Sequence, residues 1–137
     1  MKKILALLSL IVLILTMVST VAAAELVIRA RLSPVGRSGV SGVVKLAEQS
    51  DRGTMIKVRA TGLVPNEEYV SLYYDNHTCE LEPYSEEDII GTYTANSRGV
   101  GVTSGEADDD IDEINSVSVR RASDFALLAC ADVHPGR

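Results

Sequence analysis

Gly39-Val40-Ser41-Gly42-Val43-Val44-Lys45-Leu46-Ala47-Glu48, then Asp51-Arg52-Gly53, then Thr54-Met55-Ile56-Lys57-Val58-Arg59-Ala60-Thr61 decide how this chain folds. In the first run Val40, Gly42, Val44 and Leu46 fall on one side of a period of two, and Ser41, Val43 and Lys45 on the other. In the second, Ile56, Val58 and Ala60 alternate with Lys57 and Arg59. Alternation with β-branched enrichment is the pattern of a half-buried strand, and Asp-Arg-Gly between the runs is turn chemistry. The pair therefore predicts two antiparallel strands joined by a short turn.

The same period continues in both directions. A strand is expected over Glu25–Leu32, with Leu26, Ile28, Ala30 and Leu32 on one face and Val27, Arg29 and Arg31 on the other, ended by Ser33-Pro34 and Gly36. After Gly62-Leu63-Val64-Pro65-Asn66, which reads as a turn, strands are expected over Glu68–Asp75, Ile89–Ala95, Gly99–Ser104, Ser116–Arg121 and Phe125–Asp132. Asn96-Ser97-Arg98-Gly99 reads as a tight hairpin connection. After residue 24 no window holds a helical period, so the reading is all-β: an antiparallel sandwich or flattened barrel of about eight strands with Greek-key connections.

The 137 residues are 46% hydrophobic and 23% charged, which suits one domain and excludes a disordered chain. Part of the apolar content is concentrated in Ile4–Val18, interrupted only by Ser9 and Thr16, preceded by Lys2-Lys3 and followed by Ala22-Ala23-Ala24. A positive start, an apolar run and a small-residue end make residues 1–24 a secretory signal in expectation, with 25–137 as the folded domain. An uncleaved anchor is the alternative, because the run falls just short of a bilayer span. Without Lys2 and Lys3 the chain keeps 11 Lys+Arg against 19 Asp+Glu, a formal charge of −8. No Lys/Arg cluster is longer than Arg120-Arg121, so neither nucleic acid nor an anionic membrane is the expected partner once the signal is removed. Localisation is expected to be periplasmic or extracellular.

In an oxidising compartment the two cysteines, Cys79 and Cys130, are expected to pair, a bond worth about 4 kcal/mol in the chain-entropy model; two separate buried thiols are the other possibility. His77 and His134 lack the spacing of a metal pair and read as solvated side chains. Asp108, Asp110 and Asp112 begin like a calcium loop, but Glu113 stands where a glycine is needed and Val119 where a bidentate glutamate belongs. They remain weak calcium candidates beside the plainer reading of a solvated acidic connection. Five tyrosines fall between residues 69 and 93, and Tyr69, Tyr73 and Tyr84 are candidates for a binding face. Period two opposes Tyr69, Ser71 and Tyr73 to Val70, Leu72 and Tyr74, so at least one of these sets belongs to the core. Asn76-His77-Thr78 fits a glycosylation triplet, a pattern common by chance. No nucleophile constellation or phosphate loop stands out, and paired cysteines leave no free thiol.

Gly39-Val40-Ser41-Gly42-Val43-Val44, Gly62-Leu63-Val64-Pro65-Asn66, the stretch Ile90-Gly91-Thr92-Tyr93-Thr94-Ala95-Asn96-Ser97-Arg98-Gly99-Val100-Gly101-Val102 and Leu128-Ala129-Cys130 together resemble the copper-zinc superoxide dismutase family, in order and over nearly all of residues 26–132. The resemblance implies that family's immunoglobulin-like Greek-key fold and places Cys79 as the partner of Cys130. It also implies a copper and zinc site, and there this chain departs from the pattern. Ser71 and Tyr73 stand where a His-x-His would be, Arg120 or a neighbour where a further copper histidine would be, and Leu127 where the active-site arginine would be. Residues 80–90, in place of the zinc loop, carry no histidine. Redox chemistry needs several converging ligands. The expectation is an exported, non-catalytic module without a cofactor, structural or binding an unidentified protein or small molecule, with a calcium-stabilised domain or a residual dismutase as alternatives.

Overall fold

The structure, a computed structural model, describes residues 24–137. The expected leader, but for Ala24, lies outside the described residues. Eight strands follow in order: β1 (Val27–Pro34), β2 (Ser41–Glu48), β3 (Thr54–Thr61), β4 (Glu68–Tyr74), β5 (Ile89–Thr94), β6 (Gly101–Ala107), β7 (Ser116–Arg121) and β8 (Leu127–Asp132). Among the described residues the only helical element is a 3-10 turn at Glu86–Asp88. The strands form one antiparallel sheet in the order β5-β4-β7-β8-β1-β2-β3-β6, and β5 and β6 pack against each other, so that the sheet nearly closes into a flattened barrel. The all-β, eight-strand expectation is thus met.

Several boundaries differ from expectation: β2 and β8 begin two residues late, at Ser41 and Leu127, β4 and β5 end one residue early, and β1 and β6 shift at both ends. β1 runs on through Ser33 and Pro34 because they pair with Cys130 and Ala129 at the end of the ladder, where a missing N–H is tolerated. At its other end Leu26, which the alternation puts on one face with Ile28, Ala30 and Leu32, is 49% exposed. β6 begins two residues late and ends three late, following β3 down to Thr54↔Ala107. Its first expected residues belong instead to the hairpin turn, where the Asn96 Oδ1 accepts hydrogen bonds from the backbone N–H groups of Arg98 and Val100.

Inside the barrel, alternate residues of every strand make the core: Val44, Leu46, Ile56, Val58, Val117 and Val119 are fully buried, packed with Leu32, Tyr69, Tyr93 and Ala129. Gly91 and Gly105 set the seam. A Cβ on Gly91 would collide with Thr103 of β6, and one on Gly105 with the Ile90 carbonyl of β5. Side-chain-free positions let two strands approach this closely.

A second apolar layer lies outside the barrel on one half only. Val70, Leu72 and Tyr74 of β4 are buried there with Cys79, and the partly buried Ile89, Phe125, Leu127 and Cys130 pack against them. β4 is therefore buried on both faces, and both tyrosine-bearing sets belong to packed layers. The outer layer is roofed by the connection between β4 and β5, which the disulfide Cys79–Cys130 fastens to β8.

Candidate functional site

Three polar groupings accompany this covered half. The first is built on β7. Its alternation sends Val117 and Val119 into the barrel and leaves Ser118 and Arg120 on the outer face, under the roof. Arg120 is only 6% exposed. Its Nε donates to the Tyr74 hydroxyl at 3.0 Å, Nη1 to the Phe125 carbonyl at 2.8 Å and Nη2 to the Cys79 carbonyl at 2.8 Å. The Tyr74 hydroxyl, which accepts from Arg120, also shares a hydrogen bond of 2.8 Å with the Ser118 Oγ. The Phe125 ring lies 5.8 Å from the guanidinium carbon, within cation–π range. Among the described residues the ion pairs are His77–Asp132 and Arg121–Asp124, so no carboxylate neutralises Arg120. A guanidinium keeps its charge under these conditions, and dipoles together with one ring face satisfy it.

The second grouping joins the roof to β8. His77 Nδ1 lies 2.7 Å from Asp132 Oδ1, and the backbone N–H of His134 donates to that same oxygen at 3.1 Å. The Nε2–H of His134 donates to the Ile111 carbonyl at 2.9 Å. Both histidines, expected to be solvated, are half-buried and hydrogen-bonded.

The third is a cleft of about 160 Å³ at one end of the barrel, bounded by Tyr73, Asp75, Glu82, Tyr84, Asp88 and Asp109 among others. The Tyr73 hydroxyl donates to the Asp109 carboxylate, and burial, followed by the charges of Asp109, Asp88 and Asp108, pushes the phenol far above its usual range. Burial also raises Asp109, with the nearby carboxylates of Glu113, Asp75 and Asp88 adding to the rise and the Tyr73 hydrogen bond opposing it.

The sequence-predicted residues separate accordingly. Cys79 and Cys130 are bonded. Of the three candidate binding-face tyrosines, Tyr69 is 1% exposed and Tyr73 5%; both are core residues, and only Tyr84, stacked on Phe125 at 6.1 Å, presents a surface. Asp108, Asp110 and Asp112 are all exposed in the β6–β7 connection, where the Glu113 carboxylate accepts from the Asp110 N–H at 3.0 Å. Among the described residues no group of three or more histidine, cysteine or carboxylate side chains converges as a metal-binding set. Ser71, grouped with Tyr69 and Tyr73 by the alternation, points inward with them and shares a hydrogen bond of 3.0 Å with the Tyr93 hydroxyl; Val70, Leu72 and Tyr74 hold the outer positions of β4. The Arg120–Tyr74 pair went unnoticed in the sequence. The signal available was the cross-strand alignment of β4 with β7, which no single strand displays.

No family model matches the chain, and no curated protein matches it either.

Proposed function

We propose that this chain is an exported, non-catalytic β-barrel module related to the copper-zinc superoxide dismutases, serving a structural or recognition role. The observation that carries the reading is Arg120. The resemblance puts a copper histidine at or beside this position, and a buried, permanently charged guanidinium with three hydrogen-bond acceptors occupies it. A fixed positive charge in a poorly screened site repels a metal cation. The outer face of β4 carries Val70, Leu72 and Tyr74, and its inner face Tyr69, Ser71 and Tyr73, so on either assignment of faces the strand supplies no imidazole. The Greek-key part of the reading is supported by strand order, since β6 lies beside β3 and β7 beside β4. The disulfide supports export, because such bonds persist in oxidising compartments.

The test is metal content and superoxide-dismuting activity of oxidised residues 25–137 after loading with copper and zinc and exhaustive dialysis. The expected result is substoichiometric metal and no activity. Stoichiometric copper with activity would falsify the reading.

A further inference from the structure

The chain is acidic overall, yet the outer face of β1-β2-β3-β6 is not. Period two sends every second residue outward, and the antiparallel registers bring those residues side by side. Arg29 pairs with Lys45, and Lys45 with Lys57. In the adjacent row Arg31 pairs with Val43, and Val43 with Arg59. With strands about 4.8 Å apart and alternate residues about 6.7 Å apart, five cations occupy a patch roughly 10 Å by 7 Å at the backbone. All five are exposed, and none takes part in either of the ion pairs found among the described residues.

Stability does not account for this arrangement. Like charges directly opposite each other on a sheet face repel and weaken the pairing. The chain has 19 Asp+Glu that could have alternated with these cations. Several gather instead at one end of the barrel, where Asp75, Asp88, Asp109 and Glu113 crowd one another. On the basic face a carboxylate appears only at the margin, where Glu106 follows Met55 in the next row. Charge has been segregated against local energetics, which is where function is expected to show.

We propose that this face docks on an anionic lipid bilayer. The proposal deepens the recognition role above by naming its partner, and it concerns the half of the barrel remote from Arg120. Three features select a bilayer. The face is an open strand surface bearing several charges at once, suited to a plane of headgroups. Val27, Val43 and Val102 are interspersed with the cations, 38%, 48% and 49% exposed, apolar contacts that an interface between headgroup and acyl chain accommodates. Tyr and Phe side chains are absent from these rows, so the stacking platforms used by single-stranded nucleic acid are missing. The acidic end does not prevent docking, because at physiological salt its field decays over about 8 Å. Whole-chain charge, which argues against an anionic membrane, averages over this segregation.

The test uses oxidised residues 25–137, which contain every strand, both apolar layers and the disulfide. They are sedimented with vesicles of equal phosphatidylglycerol and phosphatidylcholine, and with phosphatidylcholine alone. The expected result is binding to the anionic vesicles only, weakened by roughly fivefold for each cation neutralised and abolished by added salt. Arg31→Glu/Lys45→Glu/Arg59→Glu should abolish sedimentation, while Arg98→Glu, in the β5–β6 turn, should leave it intact. If the triple reversal misfolds by near-UV circular dichroism, Lys45→Gln/Lys57→Gln replaces it, with a loss of roughly twenty-five-fold expected. No binding to anionic vesicles, or binding that the reversals leave unchanged, overturns the proposal. So does binding to duplex DNA or polyphosphate without vesicle binding, and so does reversible self-association that the reversals abolish while vesicles stay unbound, which would make the acidic end of a second copy the occupant. The metal-loading result is unaffected by any of these outcomes, so the two readings fail separately.

Discussion

Arg120 and Lys45 are both cations at outward positions of a β-strand, and the barrel treats them in opposite ways. On β4-β7-β8 the outer face is roofed by the disulfide-bearing connection, so Arg120 is dry and must be satisfied by carbonyls, a phenol and a ring. On β1-β2-β3-β6 no connection among the described residues crosses the face, and Lys45 and its neighbours are exposed. The strands follow the same alternation in both halves. What differs is the length of the connections, short between β1, β2 and β3 and long between β4 and β5, and this decides whether an outward charge is a structural element or a free one.

Removing the roof's fastening should have the largest effect. Cys130→Ala is expected to cost about 4 kcal/mol, measured by denaturant unfolding, and to uncover the layer of Val70, Leu72 and Tyr74, read as increased binding of a hydrophobic dye. An unchanged unfolding midpoint would mean that packing alone holds the roof. Next comes Arg120→Met, which leaves the Cys79 and Phe125 carbonyls without their donors under the roof. A loss of about 3 kcal/mol is expected. The contrasting change, Lys45→Met on the bare half, should leave the midpoint unmoved or raise it slightly as repulsion from Arg29 and Lys57 is relieved. Equal losses at the two positions would erase the distinction between the halves.

Two pH effects are smaller. Burial pushes the Tyr93 phenol up to about 12, the hydrogen bond with Ser71 opposing the shift and Tyr69 adding to it. The folded state then holds that proton more tightly than the unfolded chain, whose tyrosines titrate near about 10. Its contribution is complete below that pH and is lost as pH rises toward 12. Tyr93→Phe should flatten this alkaline fall while costing about 1 kcal/mol at neutral pH through the unpartnered Ser71 hydroxyl. Asp109, raised by burial and neighbouring carboxylates, has the same sign: stability is lost as pH rises through its folded pKa. Asp109→Asn, which keeps an acceptor for Tyr73, should therefore raise the melting temperature at neutral pH and change it little in acid.

The fold was legible because alternation is a one-strand signal: Val44, Leu46, Ile56 and Val58 can be assigned inward from their own runs. The features of interest are two-strand or loop signals. Nothing within Glu68–Tyr74 tells that both its faces will be covered, since that depends on where residues 75–88 return. Arg29, Lys45 and Lys57 never adjoin another cation in sequence, and only the registers of three strands assemble them. Tyr69 and Tyr73 illustrate the same limit in reverse, because strand propensity and surface recognition favour the same residue type and only burial separates them. The Tyr69 hydroxyl accepts from the Val64 N–H at 2.9 Å, a contact between the start of β4 and the turn before it.

The bond between Cys79 and Cys130, 51 positions apart, also makes the chain a lasso: β5, β6 and β7 lie within a closed covalent ring, and β1 to β4 form its tail. The most exposed stretch of that ring runs from Glu80 to Glu86. A protease cutting there opens the ring without dividing the molecule, since both new ends stay joined through sulfur and through the unbroken β8. A nicked protein would keep its mass apart from one added water and would separate into two pieces only after reduction, a form of durability suited to surroundings where peptidases are common and reductants scarce.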